Sequence, residues 1–249
     1  MALGQVARTL GRVAGVTAGA AIATDAARRL HASSRWGVRA RLGAAGDLPE
    51  WVLPTDVLAS YAEAEEHREA ADDLGLPMVL DEVNAWAALG ALAALLRLVD
   101  DGTRRSHVVD LGGRWSPLSR WCRALGFSVS REVPHERGSV DLLTRLHPAG
   151  AVAADVDAVL ELAGVVLRPG GVVVVTVPVG DADAEGAMGR ADLRALEARA
   201  DGWGLRLVGD LDGEVGRRLT AAVRVAREDE RDRTDGSAYA LARLTLRRR

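Results

Sequence analysis

The spacing of apolar residues along this chain changes character near residue 105. Before it, Val79, Val83, Trp86, Leu89, Leu92, Ala93 and Leu96 recur at helical intervals. That spacing predicts one long amphipathic helix over roughly 79 to 98, packed against the remainder of the chain. After it, short apolar runs alternate with helical stretches. His107-Val108-Val109-Asp110-Leu111 reads as a strand, and Gly112-Gly113 as a turn. Ser116-Pro117 reads as an N-cap followed by proline at the first helical position. Leu118, Trp121, Cys122 and Leu125 then line one helical face, Gly126 stops the helix, and a strand resumes at Phe127. The unit is β-α-β with a glycine-rich first turn.

The alternation continues to the end. Val140-Asp141-Leu142-Leu143-Thr144 is a strand, and Asp141 reads as a structural acid at its start. Val156, Val159, Leu160, Ala163 and Leu167 mark a helix that ends in Arg168-Pro169-Gly170-Gly171. The apolar run Val172 to Pro178 fits a strand buried on both faces of a mostly parallel sheet. A helix at 190–200, a strand at 205–208, a helix carrying Val215, Leu219 and Ala222, a charge-dense loop at 227–235 and an alternating strand at 239–246 complete the pattern. Upstream, Thr55 reads as the N-cap of a segment leading into an acidic, Ala-rich solvated helix at 61–73, which Leu76-Pro77 breaks. Three parts follow: residues 1–45, a helical cap at 46–104, and an α/β domain at 105–249.

Composition narrows the chemistry. With 48% apolar residues among 249, a sizeable core forms and global disorder is excluded. The net charge of -3 speaks against a dedicated nucleic-acid partner. Every basic residue other than histidine is Arg, which removes any Lys nucleophile or Schiff base. The one cysteine, Cys122, excludes an internal disulfide and a multi-cysteine metal site, and no metal is expected. Its apolar helical setting predicts a buried thiol.

Residues 1–45 are strongly asymmetric in charge. Arg8, Arg12, Arg28, Arg29, Arg35, Arg39 and Arg41 are opposed by Asp25 alone. The uncharged stretch Val13 to Thr24 is too short to span a bilayer, and Gly15 and Gly19 permit close helix approach. Three readings stand open: a basic helix at a membrane surface or partner, a leader without special role, and a signal peptide ending near Ala21-Ile22-Ala23.

A glycine turn between a strand and a helix lets backbone approach a ligand, and the helix N-terminus offers unpaired N–H groups. Rossmann dehydrogenases use the same device, but their G-x-G-x-x-G fingerprint fails against Gly112-Gly113-Arg114-Trp115-Ser116-Pro117. Taken in order, Val-Val-Asp-Leu-Gly-Gly, the strand at 140–144, and a helix followed by Leu-Arg-Pro-Gly-Gly and an apolar strand resemble the class I S-adenosylmethionine (SAM) methyltransferases over about residues 105–249. The resemblance implies a Rossmann-like, doubly wound, mostly parallel sheet with an antiparallel last strand. It implies SAM as cofactor, held by Asp110, Gly112, Gly113, Arg114 and Ser116. Two features depart from the family. Arg114 and Ser116 stand where glycines are usual, and Arg114 either pairs with the methionyl carboxylate or fills the pocket. The acid that binds the ribose hydroxyls is expected at Val133, whereas Glu132 lies one residue early, and a one-residue slip turns a strand side chain to the other face. Glu132 is the candidate for that role.

The family's third strand has no counterpart. About seven residues separate the strand ending near 132 from the one starting at 140, too few for the usual crossover. The expectation is a sheet without its third strand, with Pro134 to Ser139 running across the cofactor end and His135 and Glu136 near the adenine. Methyl transfer chiefly needs positioning, with a base only where the acceptor requires one. His147, at the carboxyl end of its strand, is the candidate general base. Glu82, Asn84 and Trp86 at the start of the long helix either touch a ligand or serve as caps and core. No Asn-Pro-Pro-Tyr-type motif follows Leu143, which disfavours nucleobase or Gln amino acceptors. The reading is a cytoplasmic SAM-dependent methyltransferase acting on a small molecule, lipid or glycan, with peripheral membrane contact through residues 1–45 as one of the three open readings of that segment. The alternative is a methyltransferase-fold binding or scaffold protein without catalysis. A nucleotide-sugar or dinucleotide enzyme is disfavoured by the failed fingerprint.

Overall fold

A computed structural model describes residues 41–113, 115–148, 150, 155–180, 186–230 and 240–249. The predicted segment 1–45, apart from 41–45, and Arg114 lie outside the described residues. Ala40–Arg249 forms one unit. Its helices are α1 (Tyr61–Asp73), α2 (Glu82–Ala94), α3 (Pro117–Ala124), α4 (Val156–Val166), α5 (Arg190–Gly202) and α6 (Glu214–Glu230). Its strands are β1 (Asp56–Leu58), β2 (His107–Asp110), β3 (Ser128–Ser130), β4 (Val140–Arg145), β5 (Leu167–Val179), β6 (Leu205–Leu207) and β7 (Ala240–Arg248).

The strands form one sheet in the order β1-β7-β5-β4-β2-β3, with β6 also paired to β7. β3, β2, β4 and β5 are parallel, and β7 is antiparallel to β5, β1 and β6. The Rossmann-like order with an antiparallel last strand is therefore present, and the third strand is missing among the described residues. Alternate side chains build a core on each face. Val108, Leu142, Val172 and Val174 pack with α2 and α3, while Val109, Leu143, Val173 and Val175 pack with α4, α5 and α6. Helices on both faces explain why β5 reads as an unbroken valine run.

The long helix is less amphipathic than its spacing suggested. Every residue from Ala85 to Leu96 is buried, and the last turn, Leu95–Val99, widens into a π-helix. Its sequence is long and apolar enough to cross a membrane, but the sheet covers one side and the small residues Ala64, Ala70 and Ala71 of α1 share its core on the other. One fully buried charge ties this layer to the sheet. Arg243 of β7 donates to the carbonyls of Trp86 (2.5 Å), Leu53 (2.6 Å) and Pro54 (3.1 Å) and stacks 4.3 Å from the Trp86 ring. Asp56 lies 3.8 Å away as its counter-charge. Burial pushes the guanidinium pKa down to about 10. Gly90 of α2 makes the space, since a Cβ there would sit 1.9 Å from the guanidinium carbon.

Four local expectations are corrected. Thr55 does not cap a helix; it precedes β1, and its hydroxyl accepts from Thr245 N at 3.1 Å, while Ser60 caps α1. Arg168 to Gly171 is not a turn outside the sheet but the first part of β5, bulged so that Leu167 pairs with Val140 and Val172 with Leu142. Residues 227–230 continue α6 instead of starting a loop. The run from Pro134 to Ser139 does not stay at the cofactor end. Gly138 N donates to Val165 O near the end of α4, and Ser139 O lies 3.3 Å from Nδ1 of His107, the first residue of β2. Because β4 is parallel to β2, the chain has to return to the starting edge of the sheet before β4 can begin. Residues 131–139 make that return without a helix.

Candidate functional site

β2 leaves the sheet at Asp110 with β3 on one side and β4 on the other, and strand order reverses here. Open α/β sheets bind ligands in the crevice at such a point, beyond the carboxyl ends of the strands. Asp110 is 0% exposed. Its Oδ1 accepts from Gly112 N (2.9 Å) and Thr144 Oγ1 (3.0 Å), and its Oδ2 accepts from Ser119 Oγ (2.7 Å). One carboxylate thus joins the loop, the neighbouring strand β4 and helix α3. A second bond, Leu111 N to Thr144 O at 2.8 Å, pins the loop's first residue. Three donors to a single buried acid fix the turn's shape. They make Asp110 a positioning residue that acts through the loop backbone.

The loop itself is bare. Gly113 has φ +82°, a conformation that favours glycine, and a Cβ there would meet nothing within 4 Å. Gly112 is enclosed: its Cβ would lie 3.0 Å from Asp110 Oδ1 and 3.3 Å from Ser116 Cβ. Ser116 occupies the N-cap position but, contrary to expectation, its side chain makes no capping bond. Its backbone N donates to Gly113 O instead, at 3.3 Å. The first turn of α3, opened by Pro117, therefore has no side-chain cap for its N–H groups, which suits an anionic ligand group. Trp115 is 78% exposed beside the loop.

The other sequence candidates lie at the same end of the sheet. Glu132 is exposed, two residues past β3; its N–H donates to Ser130 Oγ at 3.0 Å, and that hydroxyl donates back to Glu132 O at 2.9 Å. Val133 turns inward against the core of the α4 face. The carboxylate therefore stays on the surface, just past the carboxyl end of β3.

His147 follows β4 in a turn and is half-buried. Burial lowers its pKa below the ordinary histidine value, and the Asp81 carboxylate at the start of α2 opposes the shift. A lowered pKa keeps the imidazole neutral at physiological pH, the form able to accept a proton. Gly150 closes the turn: a Cβ there would lie 2.4 Å from Thr176 Oγ1 and 3.4 Å from His147 N.

The start of α2 is mostly structural. Asp81 caps the helix by accepting from Asn84 N at 2.8 Å. Glu82 accepts from Tyr61 OH at 2.7 Å, which holds its carboxyl below the usual range, and lies 3.4 Å from Arg68. Trp86 lies under Arg243. Asn84 Oδ1 and Thr176 Oγ1 are buried and have no hydrogen-bond partner among the described residues. Asp141 is structural, as its position suggested: it accepts from His107 N at 2.6 Å and pairs with Arg168. Cys122 is fully buried, which raises its thiol pKa far above the ordinary value. Sequence reading missed Ser119 and Thr144. The available signal was a polar residue one turn into the helix and another ending an otherwise apolar strand.

No protein-family model matches the chain, and no curated protein sequence matches it. Among solved structures, similarity extends to geranyl diphosphate C-methyltransferase from Streptomyces coelicolor A3(2), at 13% identity over 78% of this chain and 92% of that one, with a TM-score of 0.42. A SAM-dependent methyltransferase from Thiobacillus denitrificans matches at 19% identity over 65% of this chain and 91% of that one, with a TM-score of 0.35. The [4+2]-cyclase SpnF matches at 14% identity over 64% and 71%, with a TM-score of 0.37. Likenesses this distant do not decide chemistry.

Proposed function

We propose that the chain binds S-adenosyl-L-methionine over the Gly112–Gly113 turn and transfers its methyl group to a small-molecule acceptor, with lipids and glycans within that class. One observation carries this reading: a bare glycine turn at the point where strand order reverses, held by a fully buried acid bonded to the loop, the next strand and the next helix. When bound, the cofactor supplies an electrophilic methyl group on a sulfonium. Gly113 and the uncapped first turn of α3 receive the methionyl part, with Arg114 beside them as a partner for its carboxylate. Glu132 accepts from the ribose hydroxyls, since a carboxylate can take two hydrogen bonds at once. His147, neutral through burial, accepts a proton where the acceptor is a hydroxyl or acid. A cytosolic cofactor suits a cytoplasmic chain, and the basic residues 1–45 suit attachment to an anionic membrane.

The second reading is a binding protein on the same scaffold. It is favoured by the adenine side, where, among the described residues, no strand follows β3 at the sheet edge. Calorimetric titration of the full chain with SAM and S-adenosylhomocysteine tests both. Binding of both ligands, lost in Gly112→Trp, supports the cofactor site. No binding at about 1 mM ligand, an affinity weaker than about -4 kcal/mol, removes it. Binding without methyl transfer to any acceptor pool selects the second reading. Co-sedimentation of the full chain and of residues 46–249 with anionic vesicles tests membrane attachment, and equal pelleting removes it.

A further inference from the structure

The edge where β2, β4 and β5 begin carries an arginine pair with no acidic partner. Arg206 of β6 and Arg247 of β7 stand directly opposite each other in register, and both are exposed. Like charges placed so are mutually destabilising. The neighbouring guanidinium groups are occupied: Arg249 pairs with Asp201, Arg168 pairs with Asp141, and Arg248 donates to the carbonyls of Val165 and Leu167. Neither Arg206 nor Arg247 has a carboxylate partner among the described residues, although acids outnumber bases in the chain, 35 to 32.

Their setting is shaped rather than flat. Arg247 donates Nε to Gly170 O at 3.2 Å, which fixes the plane of its guanidinium. Gly170, at φ +81°, carries no side chain, and a Cβ there would lie 3.5 Å from Arg247 Nη2. Val208 supplies apolar wall to an open groove of about 410 Å³, which Gly170, Arg206 and the arginines at 247–249 also line.

We propose that this groove binds a phosphate-bearing anion, with Arg206 and Arg247 as its paired ligands. The guanidinium fork matches phosphate oxygens two at a time, and two such groups side by side neutralise a dianion. The ligand also removes the repulsion that the register imposes on the empty site. Val208 accommodates the apolar part of an ester. The phosphate belongs to a soluble phosphomonoester or to a lipid headgroup, and the chemistry of recognition is shared. This site is independent of the glycine loop and of the methyltransferase reading.

The test is calorimetry and thermal unfolding of the full chain with inorganic phosphate and a phosphomonoester, against sodium chloride at matched ionic strength, beside co-sedimentation with phosphatidic acid vesicles. The expected result is saturable binding that raises Tm beyond the chloride control. Arg206→Gln and Arg247→Gln should each weaken it about tenfold or more, as loss of a charge-assisted hydrogen bond does. Without ligand, neither variant should unfold earlier than the wild type, because each relieves the like-charge pair. Binding of the free anions assigns a soluble ligand, and binding confined to vesicles and lost in the double variant assigns a headgroup. Absence of saturable binding in every arm overturns the proposal, as does binding that survives in the double variant.

Discussion

Two fully buried charges anchor two regions of this molecule, and they serve opposite ends. Arg243 is sealed from solvent, and its donors satisfy three carbonyls in the layer formed by residues 53–54 and α2. Asp110 is equally buried, yet its three donors come from the elements that frame the glycine turn. A buried ion left without partners costs several kcal/mol, so both sites demand full hydrogen bonding. The first charge meets that demand to join layers. The second meets it to hold a bare backbone in one shape, at the place where a ligand would gain most from it.

Substitutions at the two charges should separate stability from binding. The largest effect is expected at Gly90→Ala. Its Cβ cannot coexist with the Arg243 guanidinium, and overpacking plus displacement of a buried charge should cost about 4 kcal/mol or more, read as a shift in the denaturant midpoint. Arg243→Met comes next. Three carbonyls lose their donors while the volume is largely kept, so a loss of about 3 kcal/mol is expected by denaturant titration. SAM affinity per folded molecule should stay unchanged. Asp110→Asn should cost less in stability, about 2 kcal/mol, because the amide oxygen keeps some of the bonds. It should lower SAM affinity by at least tenfold in the same calorimetric titration. Equal affinity losses in Arg243→Met and Asp110→Asn would erase the distinction between the two charges.

The larger of the two histidine shifts, and so the larger pH effect, belongs to the Arg243 side. His67 of α1 is buried, its Nδ1 lies 2.7 Å from Glu63 O, and burial lowers its pKa from 6.5 to about 4. The unfolded chain therefore takes up a proton that the native chain refuses over that interval. Stability should fall as pH drops from about 6.5 toward 4, by an amount on the order of 3 kcal/mol. His67→Gln should flatten this limb, measured by urea midpoints across pH. The smallest effect is expected at Glu132→Gln. Its exposed side chain should leave the unfolding midpoint unmoved, while SAM affinity drops severalfold through lost charge at the ribose hydroxyls.

Much of this was legible where one residue type answers one local demand. The alternation of strands and helices, the turn at Gly112-Gly113, proline opening α3 and the valine run of β5 follow from backbone rules and period. That no third strand follows β3 among the described residues was legible from the short stretch between Glu132 and Val140. What escaped depends on partners distant in sequence. β1 looked like a helix start because Thr55 suits an N-cap; its actual partner, Thr245, lies 190 residues away, and the neighbouring Asp56 pairs with Arg218 and Arg243, more than 160 residues away. Arg243 sits in the alternating end of the chain, where an arginine usually faces water, and nothing local announces its burial. Within the site, Asp110 was identified, but its service to Ser119 and Thr144 appears only once β4 and α3 are side by side.

The pairing of β7 has one more consequence. Its outer edge is closed piecemeal: β1 covers residues 241–243, β6 covers 246–248, and between them Thr245 N and O are taken by Thr55 Oγ1 and Val208 N. An open row of amides on a long strand is a template for other chains. Here the longest exterior strand offers no such run, and the opposite border, β3, is only three residues long. Among the described residues, the sheet is thereby poorly suited to grow at either of these borders.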